Sequence, residues 1–499
     1  MNDIVSTMVG IIWSPALIYL CLGVGLYFTV RCRLLQLRHL LEMVRLIWNG
    51  KSSDAGVSSF QALAITVAGR VGTGNIAGVA TAITFGGPGA MFWMWMVAFL
   101  GSSSAFVEST LGQVYKEKIN GEYRGGPAFY IEKGLGMKWY AWVFAITTIF
   151  SCGVLLPGVQ ANAIASSLQS AFDIEPLMTA AGLALLLFLI IFGGVKRIAK
   201  FASIVSPFMA LGYISVAVII IAININALPS MFILILKSAF GLDASFGAIL
   251  GLTIMWGVKR GVYSNEAGQG TGPHASSAAA VSHPVKQGLV QAFSVYIDTL
   301  FVCSATGFML LITGFYNVQN ADGVAIYTGV ASVVAGADYV QVAMENIMPG
   351  FGSKFVAISL FFFAFTAIVA FYYIAETNIA YINRKVNRTW LTFILKIILI
   401  ASTVYGTVKS AELAWGLGDI GVGLMAWLNI IAILLLQNKA FICLTDYEMQ
   451  QAKGVDPIFS PEKLGIKNAD YWATNNVGYI KDQNDGDLFC EPILHRNIS

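Results

Sequence analysis

The sequence predicts an all-α protein that crosses a membrane about eleven times. Of its 499 residues, 57% are hydrophobic and only 11% are charged, and the mean hydropathy is +0.71. So few charged side chains cannot cover a water-soluble particle of this size. Long apolar stretches recur along the chain, and glycine-rich motifs interrupt two of them. The predicted fold is therefore a polytopic membrane protein with two broken helices.

Hydropathy measured against a bilayer span of about 20 residues places the helices in order along the chain. The predicted spans are residues 8–30, 56–84, 88–115, 139–170, 177–194, 201–226, 244–280, 287–315, 352–382, 390–408 and 412–438. Three more segments are expected to lie on the membrane surface, namely Leu34 to Trp48, Gly126 to Gly136 and Asn224 to Gly241. The N-terminus lacks the signature of a cleaved secretory peptide, so the first span is expected to be retained.

Lysine and arginine follow the odd-numbered spans and are sparse in the other loops. The basic positions are Arg31, Arg33, Arg38, Arg45, Lys51, Lys116, Lys118, Arg124, Lys196, Arg197, Lys200, Lys286, Arg384, Lys385 and Arg388. Lys237 and Lys409 are exceptions on the opposite side. On that side, residues 316–350 contain no lysine or arginine, and their charged side chains are all acidic. Because basic loops stay in the cytoplasm, we expect the N-terminus outside and the C-terminus in the cytoplasm, in a cell (inner or plasma) membrane.

After the first span, the remaining spans divide into two sets of five, and each set opens with a broken helix. An odd number of spans per set inverts one set relative to the other. No repeat of the residues themselves supports this symmetry, which depends on the break positions and the topology. The predicted units are an N-terminal helix with an amphipathic helix (1–55), a first repeat (56–226), a second repeat with outer linkers (227–438) and a cytoplasmic tail (439–499).

The two glycine-rich breaks are the strongest functional signal. One is Val71 to Asn75, and the other is Gly261 to Gly270. Glycine weakens a helix, and backbone groups freed inside a bilayer need polar partners other than water. A matched pair of such breaks predicts a substrate site at the membrane midplane. The alternative is that the glycines only allow close helix packing, which we favour for Gly78 and Gly86.

Two motifs resemble the signature of the alanine or glycine:cation symporters. They are RVGTGNIAGVA at Arg70 to Ala80, and RGVYSNEAG at Arg260 to Gly268 followed by GPHA at Gly272 to Ala275. The resemblance extends from the first span to the eleventh. It implies a leucine-transporter-type fold of the amino acid-polyamine-organocation superfamily. It also implies sodium-coupled uptake of small neutral amino acids, alanine or glycine with serine as a further candidate, in a prokaryotic membrane.

The substrate site is predicted at the two breaks. Amides of Thr73, Gly74 and Asn75 begin a half-helix whose positive end suits a substrate carboxylate. Free carbonyls at the other half-helix ends suit an ammonium group or a bare cation. The predicted substrate-binding residues are Gly72, Thr73, Gly74, Asn75, Tyr263, Ser264, Asn265 and Phe371.

The sodium ligands are implied by the resemblance. They are the backbone carbonyls of Ala68 and Val71 and the hydroxyl of Thr366. A threonine in a membrane helix commonly bonds back to a carbonyl one turn earlier, which is the alternative for Thr366. This chain departs from the family at Phe365-Thr366 and Ala370-Phe371, where Ser-Thr and Gly-Trp are usual, so the shape of its pocket is expected to differ.

Charged residues within spans need partners or a wet cavity. We expect Glu266 to pair with Arg260 or Arg70 as a brace or gate, with direct contact to the substrate ammonium as the alternative. Asp298 is interpreted as snorkelling towards the cytoplasm or as a gate. Gln160 and Asn162 are interpreted as hydrogen-bonding between helices rather than lining the pathway.

Other function classes fit the sequence poorly. Only His274 of the four histidines falls within a span, and no HExxH motif or CxxC spacing occurs, so an enzyme, a metal site other than sodium and a cofactor are not expected. The net charge of +3 without a basic stripe excludes nucleic acid as a partner. The expected partners are a small neutral amino acid, sodium and the lipid bilayer. Proton coupling through Glu266 or Lys259 stays open as an alternative, and a passive channel is a weaker one.

Overall fold

A computed structural model of the chain describes residues 2–48, 53, 55–243, 245–331, 333, 335–386, 388, 390–474, 479–481 and 488–490. Within these ranges, eight helices are long and apolar enough to cross a membrane, and a bent pair makes a ninth. Two shorter apolar helices cover Pro176–Ile191 and Ile225–Ala239. The prediction of a polytopic helical membrane protein is confirmed, whereas the count of about eleven spans and the inverted repeat stay predictions. Lys51, Ala244 and residues 491–499 of the expected tail lie outside the described residues.

The N-terminal part contains the first break. Its helices are α1 (Asn2–Ile12), α2 (Pro15–Arg31), α3 (Leu35–Arg38), α4 (Leu40–Trp48), α5 (Ser59–Arg70), α6 (Val79–Gly86) and α7 (Ala90–Val114), with a π-helical turn at Gly74–Gly78. Ser58 caps α5 through a capping box with Gln61, which starts the helix sharply. The predicted surface segment at Leu34 to Trp48 is confirmed as helical, divided at His39.

The next part forms the scaffold around the breaks. Its helices are α8 (Pro127–Tyr130), α9 (Lys138–Phe150), α10 (Leu156–Phe172), α11 (Pro176–Ile191), α12 (Gly194–Ile223) and α13 (Leu228–Ala239), with π turns at Ile131–Leu135 and Ser151–Leu155 and a 3-10 turn at Ile225–Ala227. The π turn at Ser151–Leu155 joins α9 and α10 into one span.

The C-terminal half contains the second break. Its helices are α14 (Leu250–Asn265), α15 (Gly272–Ala278), α16 (Pro284–Tyr296), α17 (Ser304–Thr313), α18 (Ala337–Ile347), α19 (Gly352–Val386), α20 (Trp390–Thr407), α21 (Ala411–Ala452) and α22 (Asp470–Thr474), with a 3-10 turn at Gly247–Ile249 and a π turn at Ile297–Cys303. Helix α21 continues to Ala452, beyond residue 438, and the end of the membrane span at residue 438 stays a prediction.

Three antiparallel hairpins are absent from the all-α prediction. They are β1 (Glu117–Ile119) with β2 (Glu122–Arg124), β3 (Asn317–Gln319) with β4 (Ala325–Thr328), and β5 (Tyr479–Lys481) with β6 (Leu488–Cys490). Each strand has only three or four residues, too few for hydrophobic alternation to reveal it in the sequence.

Helix α7 is the centre of the helical core and packs against α14, α15 and α16, while α10 packs against α19 and α20. The second broken span, α14 and α15, belongs to the first group, and the first broken span reaches the second group because α5 contacts α19. Small residues allow the closest approaches. At the contact of α10 with α20, a Cβ added to Gly406 would lie 2.4 Å from the backbone Cα of Gly158.

We therefore expect Gly406→Ala to lower the free energy of unfolding by about 1–3 kcal/mol, because the added methyl group meets backbone that cannot rotate away. Gly182→Ala on α11 is the matched control, since nothing lies within 4 Å of its added Cβ. Thermal unfolding of the purified proteins in detergent measures the difference. Equal melting temperatures for the two variants would contradict the close contact.

Candidate substrate and ion site

The first break lies where it was predicted. Helix α5 ends at Arg70, Val71 and Gly72 are not helical, and the two halves are bent by 53°. The freed amides are bonded by side chains: Gly72 N–H donates to Asn75 Oδ1 at 2.8 Å, and Thr73 N–H donates to Gln160 Oε1 at 3.0 Å. The break therefore presents a pair of backbone donors, and each is held by an amide oxygen that another acceptor can replace.

The second break lies further along the chain than predicted. Helix α14 continues through Gly261 to Asn265, and the interruption is residues 266–271. Glu266, Gly268 and Gly270 have φ of 54°, 79° and 89°, a left-handed conformation that ends the helix. The start expected at Gly261 is wrong because that glycine serves packing instead: its added Cβ would lie 2.3 Å from Val97 on α7.

The first broken helix touches the last turn of α14, directly before the second break. A Cβ added to Gly74 would lie 3.2 Å from both Ser264 Cα and Tyr263 Cδ1. The predicted substrate residues Thr73, Gly74, Asn75, Tyr263, Ser264 and Asn265 thus lie in one buried region. Gly72 approaches Gln160 and Ala367 of the neighbouring scaffold helices.

Asp298 joins the breaks. Its Oδ1 accepts from Asn75 Nδ2 at 2.6 Å and from Ser264 Oγ at 3.1 Å, and its Oδ2 accepts from Thr299 Oγ1 at 2.8 Å. Asn265 Nδ2 donates to that same Thr299 hydroxyl at 3.3 Å. The carboxylate is fully buried, so the interpretation of Asp298 as a snorkelling residue is wrong.

The expected brace between Glu266 and an arginine is also wrong. Glu266 Oε2 accepts from Thr271 Oγ1 at 2.6 Å, across the second break itself. Arg70 donates through Nη1 to the carbonyl of Gln291 at 3.2 Å and to Ser294 Oγ. Among the described residues, no lysine or arginine forms an ion pair with Glu266.

A third buried carboxylate supports the second break from α7. Glu108 Oε2 accepts from Gly270 N–H at 3.1 Å and from Asn429 Nδ2 at 2.7 Å. Asn429 also donates to the carbonyl of Gly268 at 2.9 Å. Near the breaks, the buried Arg70 side chain interacts electrostatically with Glu266, Glu108 and Asp298.

A second charge cluster consists of Lys259, Arg260 and Asp419. Arg260 donates to both oxygens of Asp419 at 2.9 and 3.0 Å, and Lys259 Nζ lies 2.7 Å from Asp419 Oδ2. The Arg260 guanidinium also lies 4.6 Å from the centroid of the Trp415 ring, and Trp415 packs against Tyr263 at 5.1 Å. This cluster ties α14 to α21 directly beside the breaks.

A small cavity lies between the first broken helix, the second break and α19. It is lined by Ile65, Thr66, Gly69, Glu266, Thr271, Gly272, Ala275, Ala370, Tyr373 and Ile374. Its volume is about 10 Å³, counted as space open to the centre of a water-sized particle, which is room for roughly one water molecule or bare ion. Phe371 is buried beside Ala370, but Tyr373 rather than Phe371 lines this cavity.

The predicted sodium ligands lie on facing helices. Residues of α5 and α19 meet where Gly69 and Gly72 approach Ala370 and Ala367, each at 3.3 Å from the added Cβ. Ala68, Val71 and Thr366 are all buried. The Thr366 hydroxyl donates to the carbonyl of Phe363 at 3.0 Å, the back-bonded arrangement considered as the alternative, while its oxygen lone pairs remain available to a cation.

Sequence reasoning was right for Asn162 but underrated other polar residues. Asn162 Nδ2 donates to the carbonyls of Gly406 and Lys409 at 3.1 and 2.7 Å, as predicted. Gln160 instead bonds the first break. The roles of Asp419, Asn429 and Glu108 were missed, although each is a polar side chain in an apolar helix, a signal that points to function or structure in a membrane.

The sequence is similar to those of known transport proteins. The model of the sodium:alanine symporter family matches residues 1–461. A Bacillus subtilis protein named as a sodium/proton-dependent alanine carrier is 61% identical over 95% of this chain and 98% of its own length. A sodium/proton-dependent alanine carrier protein of Bacillus sp. (strain PS3) is 53% identical over 86% and 97%. A Bacillus subtilis protein named as a sodium/glutamine symporter is 43% identical over 94% and 96%.

The protein is thus a membrane transporter and not an enzyme. The chain belongs to the sodium:alanine symporter family.

We expect Asp298→Ala to lower the free energy of unfolding by about 1–3 kcal/mol, because Asn75 and Ser264 lose a buried acceptor. Asp322→Ala, at an exposed position in the β3–β4 hairpin, is the matched control and should stay within about 0.5 kcal/mol of the parent. Thermal unfolding in detergent is the measurement. If both variants melt with the parent protein, Asp298 does not join the breaks.

Proposed function

We propose that the protein carries alanine, and amino acids of similar size such as glycine and serine, into the cell together with sodium by alternating access. The observation that carries this proposal is the set of three buried acidic side chains, Glu108, Glu266 and Asp298, near a single arginine, Arg70, at the breaks. Uncompensated charge is expensive within a membrane. A cation that enters this region is stabilised by each of these carboxyl groups that is ionised, and such stabilisation couples a cation to the substrate.

The first break supplies groups for the substrate carboxylate. In this structure the amides of Gly72 and Thr73 are held by the amide oxygens of Asn75 and Gln160. A substrate carboxylate offers the same type of acceptor with a full negative charge, and hydrogen bonds to charged acceptors are the stronger ones. We infer that the carboxylate displaces Gln160 Oε1 from Thr73, which frees the glutamine to bond the ligand.

The close contact of the breaks supports a small substrate. Gly74 lies directly against Tyr263 and Ser264. A ligand between them therefore fits only into the space that the absent side chain of Gly74 leaves free. A long side chain would require the two broken helices to separate further. We therefore place alanine, glycine and serine ahead of glutamine for this chain, although a relative carries the name of a glutamine symporter.

Sodium is proposed to bind between α5 and α19, at the carbonyls of Ala68 and Val71 and the hydroxyl of Thr366. Oxygen donors of this kind suit a hard cation. Proton coupling is the second candidate, favoured by the same buried acidic side chains Glu108, Glu266 and Asp298, none of which forms a salt bridge within the part of the chain that the structure describes. Lys259, the other titrating group considered, is held by Asp419 at 2.7 Å and is a weaker choice.

Alternating access is proposed to open the two sides of the breaks in turn. The Arg260–Asp419 pair, with Trp415 and Tyr263, would close the outer side. The cavity lined by Thr66 and Glu266 would be the closed start of the inner path. This assignment takes the N-terminus to be outside and the C-terminus in the cytoplasm of the cell membrane, as the basic loops predict.

Uptake of labelled alanine into vesicles tests the coupling ion. At fixed pH, an inward sodium gradient should drive accumulation, and an equal potassium gradient should not. Thr366→Ala and Asn75→Ala should each raise the sodium concentration for half-maximal uptake severalfold, because a cation ligand or the support of the break is lost. Equal uptake with potassium would reject sodium coupling, and a dependence on the pH gradient instead would favour protons.

Exchange of labelled for unlabelled alanine separates a carrier from a passive channel. Unlabelled alanine on the opposite side of the membrane stimulates the flux of labelled alanine through a carrier but not through a channel.

Gly74→Val should abolish alanine binding, because its side chain would occupy the space between the breaks, 3.2 Å from Ser264 Cα. Gly182→Val, on α11 with nothing within 4 Å of its added Cβ, is the control and should bind alanine normally. Isothermal titration of the purified proteins with alanine in sodium buffer gives the dissociation constants. Normal binding by the Gly74 variant would place the pocket elsewhere.

A further inference from the structure

The C-terminal segment after α21 returns to the helix bundle at the ends of the broken helices. Here the "tail segment" means residues 456–474. Phe459, Ile466 and Trp472 of this segment are almost fully buried, with 3–5% of their surface exposed. A polar tail without a role would lie in solvent, so this burial indicates a specific docking surface.

The surface under the tail segment is the place where the two broken spans are fastened together. Val57, just before α5, donates to the carbonyl of Ala278 at the end of α15 at 2.9 Å and accepts from Ala280 N–H at 2.9 Å. Lys116, just after α7, binds the same segment after α15, because its Nζ donates to the carbonyl of Ala279 at 2.9 Å. These contacts make the inner ends of α5 and α15 one unit.

One end of the tail segment is bound to the loop that follows α15. Ser282 Oγ donates to the carbonyl of Pro457 at 2.8 Å, and Phe459 N–H donates to the carbonyl of Ser282 at 3.0 Å. Lys286 Nζ lies 2.5 Å from Asp456 Oδ1. This end therefore moves with the second broken span.

The other end is bound to α7 and to the segment before α9. Trp472 Nε1 donates to the carbonyl of Gln113 at 3.0 Å, and Asp470 Oδ2 lies 2.7 Å from Lys133 Nζ. Asn468 Nδ2 donates to the carbonyl of Lys133 at 2.9 Å. The Lys116 ammonium lies among the rings of Tyr123, Tyr471 and Trp472, 4.6–5.0 Å from their centroids.

Lys133 connects this docking site to the scaffold. Its neighbour Glu132 is bound by Arg384 and Lys385 at the end of α19, at 2.7 and 3.0 Å. Burial opposes the ionised form, but hydrogen bonds from Tyr381 and Lys385 and the charge of Arg384 lower the pKa of Glu132 to about 2. The carboxylate therefore stays ionised and the connection to α19 holds at physiological pH. The tail segment thus bridges the second broken span and the scaffold helix that lines the other side of the cavity.

We propose that the tail segment is an autoinhibitory latch that holds the inner path closed, so that its release favours the inward-open state. This proposal relies on the alternating-access function and the orientation proposed above. The contacts of the tail segment connect the second broken span to the α19 side of the cavity. These two sides must separate when α5 and α15 move away from α19. Because the latch is part of the chain, any cytoplasmic factor that captures the tail would speed transport without touching the substrate site.

The test uses the full-length protein with a reporter cysteine at Ile65→Cys, which faces the cavity, in a Cys490→Ser background. The cysteines at 21, 32, 152, 303 and 443 are buried. Asp456→Lys and Trp472→Ala should each speed alkylation of the reporter at least threefold when an impermeant maleimide is added to inside-out vesicles. Asp456→Lys combined with Lys286→Asp should return the rate towards the parent. Glu462→Lys, a charge change at an exposed position of the same segment, should leave it unchanged.

Release of the tail is measured in the same vesicles by trypsin cleavage at Lys463 and Lys467. Faster cleavage with an unchanged alkylation rate would overturn the latch and leave only a structural cap. Unchanged cleavage in both variants would also overturn it, since the named contacts would then not hold the tail. The readout requires no substrate, so its failure leaves sodium-coupled uptake standing, and a failure of sodium-driven uptake leaves the alkylation result readable.

Discussion

Every backbone group that a broken helix frees inside a membrane must find a partner within the protein, and this constraint shapes the whole centre of the molecule. The first break is bonded by Asn75 and Gln160, and the second by Glu108 and Asn429. Asp298 then bonds one break to the other. A polar centre of this kind is stable only while each group is satisfied, so the entry of a ligand changes several bonds together.

The buried charges form two groups with different balances. Beside the breaks on one side, Lys259 and Arg260 share Asp419, an excess of one positive charge. On the other side, Arg70 interacts with Glu108, Glu266 and Asp298, three acidic side chains for one basic one. A zwitterionic amino acid with an accompanying cation matches such a divided field, and this match connects the geometry to the function proposed for a sodium:alanine symporter family member. The tail segment lies below the negative group, at the ends of the same broken helices, where its docking can affect their movement.

The sequence predicted the first break because its signal is local. Two glycines in an apolar span, followed by Asn75, lack helix propensity and carry their own capping side chain. The second break was placed too early, since Gly261 and Gly268 look alike in a sequence. Only the neighbours differ: α7 approaches Gly261 so closely that a glycine is needed inside a continuous helix, whereas Gly268 and Gly270 adopt left-handed φ. The sequence is equally ambiguous for Thr366. A threonine whose hydroxyl bonds back to a carbonyl and a threonine that binds a cation look the same in a sequence.

The sequence by itself determined that this is a polytopic helical membrane protein and where the first of its two broken spans is interrupted by glycines, because hydropathy and helix propensity act over short stretches of chain. Only the tertiary structure decided which charges meet. Arg260 binds Asp419, 159 residues away, rather than Glu266 nearby, because a helix directs these two side chains to different neighbours. The strength of a buried ion pair depends on that distance in space, which the order of residues does not contain.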